Sequence, residues 1–210
     1  MTPKTVVVTG FGLFRDYKVN ASWEVARVLP ETGIAEELNI NLVTINIPVS
    51  YKDVDQIVPT LWVQHEPALM VHLGVSHLAK TLTVELVANG HGYCGIDIHG
   101  NGPDDKCLIN NELETGLKME CTDELDICTS RDAGRYLWAK SIYSFLDFHL
   151  YLLYVLYRYL CEYIYFKSLS INKNQTIFIH VPQLDQDNTA QKLAEKLKCV
   201  IRKLLEQVTK

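Results

Sequence analysis

Three side chains in this chain are of types that together can break an acyl bond: Cys161 in CEYIYFKSL, His180 in TIFIHVP and Glu85 in KTLTVEL. A cysteine at the start of a helix feels the positive N-terminal field, which favours the thiolate and makes it a nucleophile. Each residue also has a plain reading. A cysteine in an apolar helix is commonly a core residue, and a lone strand histidine is commonly structural. A glutamate inside an apolar strand is costly to bury without a partner. Taken together they supply a thiolate, a base and an orienting carboxylate, the parts of nucleophilic acyl transfer. Phe11 and Phe14, in TGFGLF, sit in a glycine turn at a strand's end, where rings are easily exposed to a ligand or else pack under the sheet.

To act together, these residues must be brought to one place by elements far apart in sequence. Residues 5–12 form a β-branched run ending in glycines, the pattern of a buried strand leading into a turn. Residues 21–29 have helical spacing, with Asn20 or Ser22 available as N-cap. Further strands are expected at 40–49, 68–76 and 176–182, and residues 80–88 alternate as a strand does. A helix is expected at 51–64, kinked or divided by Pro59. Residues 89–105 read as loop, and 188–208 as an amphipathic helix. Strands separated by helices predict an α/β fold, three layers α/β/α around an open, mostly parallel twisted sheet. In such sheets chemistry collects at the carboxyl ends of the strands, where Gly10, Gly74 and His180 fall.

At 210 residues the chain suits one domain with a full core. A net charge of −5 and the lack of a basic run argue against nucleic acid as a partner. Gly10 and Gly12 begin a dinucleotide fingerprint, but Arg15 stands where its third glycine belongs. The six cysteines match no zinc template, so no metal is expected and most are read as reduced core thiols. The first residues lack a secretory pattern, which gives a cytoplasmic expectation. The apolar run within 141–157 approaches a membrane-spanning length, but Asp147 and His149 interrupt it, and no membrane is expected as a partner. Monomer and homo-oligomer both stay open.

The blocks VVVTGFGLF, VNAS, VHLGVS, TLTVE, HGYCGID, DAGRYL, RYLCEY and IHVPQL occur in the order found in pyroglutamyl-peptidase I. The chain resembles that family of cytosolic cysteine peptidases, which remove N-terminal pyroglutamate from peptides. The resemblance implies Cys161 as nucleophile, His180 as base and Glu85 as its partner. It also implies Phe11 and Phe14 as walls for the substrate ring, and Gly74 and Val75 as part of the turn that holds the carbonyl oxygen. The implied partner is a peptide bearing N-terminal pyroglutamate, and no cofactor is implied.

The chain departs from the family in one large way. Arg135-Tyr136-Leu137 is followed by Trp138, and the pattern resumes 23 residues later at Arg158-Tyr159-Leu160-Cys161. The repeat and the aromatic, aliphatic content of residues 136–158 read as translated non-coding sequence, with a genuine insertion as the alternative. Either copy in the native place predicts damage. Trp138 would fill the nucleophile's seat, or the Asp132-Ala133-Gly134 turn would be pulled away from Cys161, leaving an impaired or inactive relative. Leu13 stands where the family commonly has proline, Leu86 where a basic side chain is more usual, and residues 112–130 look short.

Overall fold

The computed structural model describes residues 2–14, 18–103, 107–122, 126–134 and 159–208. The segment 135–158, with Trp138 and the first Arg-Tyr-Leu copy, lies outside the described residues, as does Arg15.

The valine-rich run becomes β1 (Lys4–Phe11), buried from Val6 onward because neighbours cover both of its faces. It lies in a six-stranded sheet of order β2-β1-β3-β8-β4-β7. The other members are β2 (Ile40–Ile47), β3 (Leu69–Val75), β4 (Leu82–Glu85), β7 (Ile127–Ser130) and β8 (Thr176–Val181). Every pairing is parallel except β4 with β8. A separate antiparallel pair is formed by β5 (Val87–His91) and β6 (Cys107–Glu114).

Helices cover both faces, giving the three-layer α/β/α arrangement. On one face, α1 (Ala21–Val28), a 3-10 turn (Leu29–Thr32), α2 (Ile34–Leu38) and the C-terminal α5 (Ala190–Gln207) meet Val6, Val8, Val71, Leu73, Ile177 and Ile179. Helix α5 presents Leu193, Leu197, Val200, Ile201 and Leu204 in one stripe, and its N-cap Thr189 hydroxyl accepts from Lys192 N at 3.3 Å. On the other face, α3 (Tyr51–His65) and α4 (Leu160–Asn172) cover Val7, Met70 and Phe178. Helix α4 is buried over most of its surface because it lies among the sheet, α3 and the β5–β6 pair.

Several expectations are corrected. Pro59 does not divide its helix: α3 runs unbroken from Tyr51 to His65, with Pro59 exposed while Val54, Val58 and Leu61 are buried. The alternating stretch 80–88 is two strands, because the chain leaves the main sheet at Leu86, whose N–H bonds the Ser130 carbonyl at 2.8 Å and whose carbonyl accepts from Thr115 N at 3.0 Å. Strands β6 and β7 had no counterpart in the sequence reading. Cys94, Cys121 and Cys128 are exposed and Cys161 and Cys199 half-buried, so the described thiols are not the core residues expected.

Candidate active site

Strand pairing brings the first two functional side chains together. His180 on β8 lies opposite Gly74 on one side and Thr83 on the other, and Glu85 follows two residues along β4 on the same face. The ring Nδ1 and Glu85 Oε1 are 2.7 Å apart, with the carboxylate 3% exposed and the imidazole 12% exposed. Tyr165 from α4 donates its hydroxyl to the Glu85 carbonyl at 2.7 Å, tying this end of β4 to the helix that bears Cys161. Glu85 Oε2 is buried with no hydrogen-bond partner among the described residues, so the ring is this carboxylate's main compensation.

The electrostatics make His180 a proton holder. Burial opposes charge on the ring, but its interactions with the Cys161 sulfur and the Glu85 carboxylate outweigh that and push its pKa up to about 9. Since Nδ1 faces Glu85, Nε2 is the nitrogen left for the sulfur. His72, two residues before Gly74 on β3, shows what burial does without such partners. It is fully buried with Thr9 Oγ1 at 2.7 Å from Nδ1, and burial lowers its pKa to about 3.

Cys161 is the second residue of α4, whose N-cap Tyr159 is extended and makes no side-chain cap bond. Glu162 N and Tyr163 N both bond the Tyr159 carbonyl, at 3.1 and 3.2 Å, so the earlier N–H groups of Leu160 and Cys161 have no acceptor within the helix. The sulfur lies directly over β3. A Cβ on Gly74 would fall 2.8 Å from Cys161 Sγ and 2.6 Å from Phe178 Cζ, so only glycine admits the thiol here. Gly74→Ala is therefore expected to displace the sulfur from the imidazole. Alkylation of Cys161 by iodoacetamide should slow by about tenfold or more, and a rate equal to the parent's would show that the strand yields instead.

Two cavities meet at the sulfur. One, of about 350 Å³, is walled by Phe11, Phe14, Val75, Ile96, Tyr159 and Leu160. The other, of about 400 Å³, holds Glu85 and His180 beside Asp132, Ala133 and Gly134. Val75, Tyr159 and Cys161 belong to both. Phe11 is 4% exposed and serves as core and cavity wall at once, while Phe14 is half-buried. Asn20 steadies the loop that carries Phe14: its amide donates to the Gly12 carbonyl at 2.8 Å, and its oxygen accepts from Ser22 N at 3.1 Å as the α1 cap.

The expected separation of the Asp132-Ala133-Gly134 turn from Cys161 does not occur, since both line one cavity. The second Tyr-Leu copy begins the helix, yet the turn stays because Gly134 packs against Glu162, the residue after Cys161. Gly134 and Glu162 are thus neighbours in space although far apart along the chain. Sequence reading also missed Tyr159 and Ile96 as walls. The only hint was Gly95, against which the Tyr159 ring packs so closely that a Cβ would fall 2.5 Å from Cδ1.

A family model described as pyroglutamyl peptidase matches residues 4–116. Rat pyroglutamyl-peptidase 1 is 32% identical over 96% of this chain and 90% of its own length. The chain belongs to the pyroglutamyl peptidase family. Human pyroglutamyl-peptidase 1-like protein is a further relative, 30% identical over 87% of this chain and 86% of its own length. Among solved structures, Bacillus amyloliquefaciens pyroglutamyl peptidase I superposes with a TM-score of 0.73 at 18% identity, covering 99% of this chain and 98% of that one. The Thermococcus litoralis pyrrolidone carboxyl peptidase gives 0.74 at 19% identity, covering 98% and 95%. The family-model match takes in Glu85 and stops before Cys161 and His180, whereas the likeness to the rat pyroglutamyl peptidase runs across nearly the whole chain. Among the described residues of this pyroglutamyl peptidase family member, no helix is long and apolar enough to cross a membrane. Nor do any three potential metal ligands cluster among them.

Proposed function

We propose that this chain hydrolyses the peptide bond after an N-terminal pyroglutamate, with Cys161, His180 and Glu85 as its catalytic residues. The observation that carries this reading is the 2.7 Å Glu85–His180 pair opening into the same cavity as the Cys161 sulfur. Membership of a pyroglutamyl peptidase family supports the substrate class.

With its pKa raised to about 9, the His180 ring holds its proton at neutral pH, and the attacking species is the Cys161 thiolate. The sulfur attacks the pyroglutamyl carbonyl carbon, and negative charge develops on its oxygen. The N–H groups of Leu160 and Cys161, with no acceptor inside the helix, are donors available for that charge. The C–N bond breaks as His180 gives its proton to the leaving amine. Water then attacks the thioester, its proton passing to His180, and the C–S bond breaks to restore the thiolate. Atoms and charge balance among Cys161, His180 and water. Glu85 fixes the tautomer and favours the charged ring throughout.

The aromatic cavity suits the acyl group. Pyroglutamate is a flat, neutral lactam with no free α-amine, so it needs apolar walls such as Phe11 and Phe14 rather than a carboxylate to meet an N-terminus. Two assays test this. The chain should release fluorophore from a pyroglutamyl amide and not from the matching prolyl amide, which carries a charged amine; no release from either rules the reading out. Phe14→Ala should raise KM by about tenfold with kcat nearly unchanged, because it removes part of a wall and none of the reacting groups. A fall in kcat at constant KM would place Phe14 outside the ring's subsite.

A further inference from the structure

Glu162 follows the nucleophile directly and is fully buried, although nothing in the proposed proton path uses it. A buried carboxylate persists only where donors meet it. Here Oε1 accepts from both Asn89 N, at 2.8 Å, and Asn89 Nδ2, at 2.9 Å, which locks it to β5. Tyr93 reinforces this contact: its hydroxyl bonds the Asn89 carbonyl and lies 3.5 Å from the Glu162 carbonyl. Oε2 points the other way, to Gly134, where a Cβ would fall 1.8 Å from it. The carboxylate therefore lies against the backbone of the Asp132–Gly134 turn, whose last residue must be glycine for that approach. Its place in the first turn of α4 adds favourable interaction with the helix field.

We infer that Glu162 is a positioning residue, clamping the Asp132–Gly134 turn and β5 to the nucleophile's own helix so that the turn's backbone stays at the reacting carbonyl. The inference rests on the Cys161 reading above. It explains how the site keeps its shape where 24 residues, 135–158, lie between the turn and Tyr159: Gly134, before that segment, is held to the helix after it through one side chain. It also divides the site energetically. Neither Glu162 nor the turn lines the aromatic cavity, and Glu162 does not line the one that holds Glu85 and His180. Losing the clamp should therefore weaken stabilisation of the transition state while leaving lactam binding and thiolate formation alone.

Glu162→Gln keeps the size and one acceptor for Asn89 but presents an amide to Gly134. Its kcat on a pyroglutamyl amide is expected to fall by about 10- to 100-fold, with the inhibition constant of 2-pyrrolidone and the rate of Cys161 alkylation by iodoacetamide each within about twofold of the parent. Asn89→Ala, at a half-buried position, removes one of the two Oε1 donors and should show the same split at about a tenfold loss of kcat; it carries the test if the first variant does not fold. Unchanged kcat in these variants of an active parent overturns the clamp, as does loss of pyrrolidone affinity or alkylation in step with kcat. An inactive parent instead overturns the proposed function.

Discussion

Cys161→Ala should reduce hydrolysis of a pyroglutamyl amide to background, a loss of about 10⁴-fold or more in kcat/KM, while the circular dichroism spectrum and melting temperature stay close to the parent's. The two halves of this expectation have separate causes. Chemically, among the described residues at the meeting point of the two cavities, the sulfur is the group suited both to attack the carbonyl and to leave from the acyl intermediate. Structurally, the side chain is half-buried and small, so its truncation costs on the order of 1 kcal/mol. Cys94 is the useful contrast, an exposed thiol in the loop after β5. Retention of more than a tenth of the parent's activity in Cys161→Ala would assign the nucleophile elsewhere.

Glu85→Gln is expected to lower kcat/KM by about 10²- to 10⁴-fold and to move the alkaline limb of the pH–rate profile downward. In the parent, activity should fall as pH rises through about 9, where His180 loses the proton owed to the leaving amine. Without the carboxylate, burial favours the neutral ring and only the sulfur opposes it, so that limb must shift to lower pH. An upward shift, or none, would mean that Glu85 does not govern the ring. The same shift ties protonation to folding. His180 is raised from about 6.5 in the unfolded chain to about 9 in the folded one. Its contribution to stability is therefore fully present below about pH 6.5 and is lost as pH rises through about 9. The urea midpoint of the parent should drop between pH 7 and 9, and that of Glu85→Gln should drop less.

The α/β architecture was legible because its signals are local and repeated. The β-branched run of β1, the helical stripe of α5 and the glycines closing strands each bias a short window, and the windows agree. Cys161, His180 and Glu85 were legible as chemical types and, through motif order, as a family's set. The helix is not divided at Pro59 because intrinsic helix preference is weak beside the burial of Val54, Val58 and Leu61. The cysteines misled: a thiol's usual preference for the interior says nothing about loops and edge strands such as β7, which carry Cys94 and Cys128 to the surface.

What no window could decide was mutual placement. The 2.7 Å contact of residues 95 positions apart depends on β4 running antiparallel to β8 in a sheet that is otherwise parallel, a choice made by long-range pairing. The fate of the Asp132-Ala133-Gly134 turn is of the same kind. Counted along the chain, the long segment 135–158 separates the turn from the thiol; in three dimensions Glu162 and Gly134 touch. Residue types and their order name the reacting groups, because chemistry resides in side chains. Their meeting belongs to the tertiary structure, because distance along a chain does not set distance in space once a buried carboxylate and a sheet register hold remote backbone segments together.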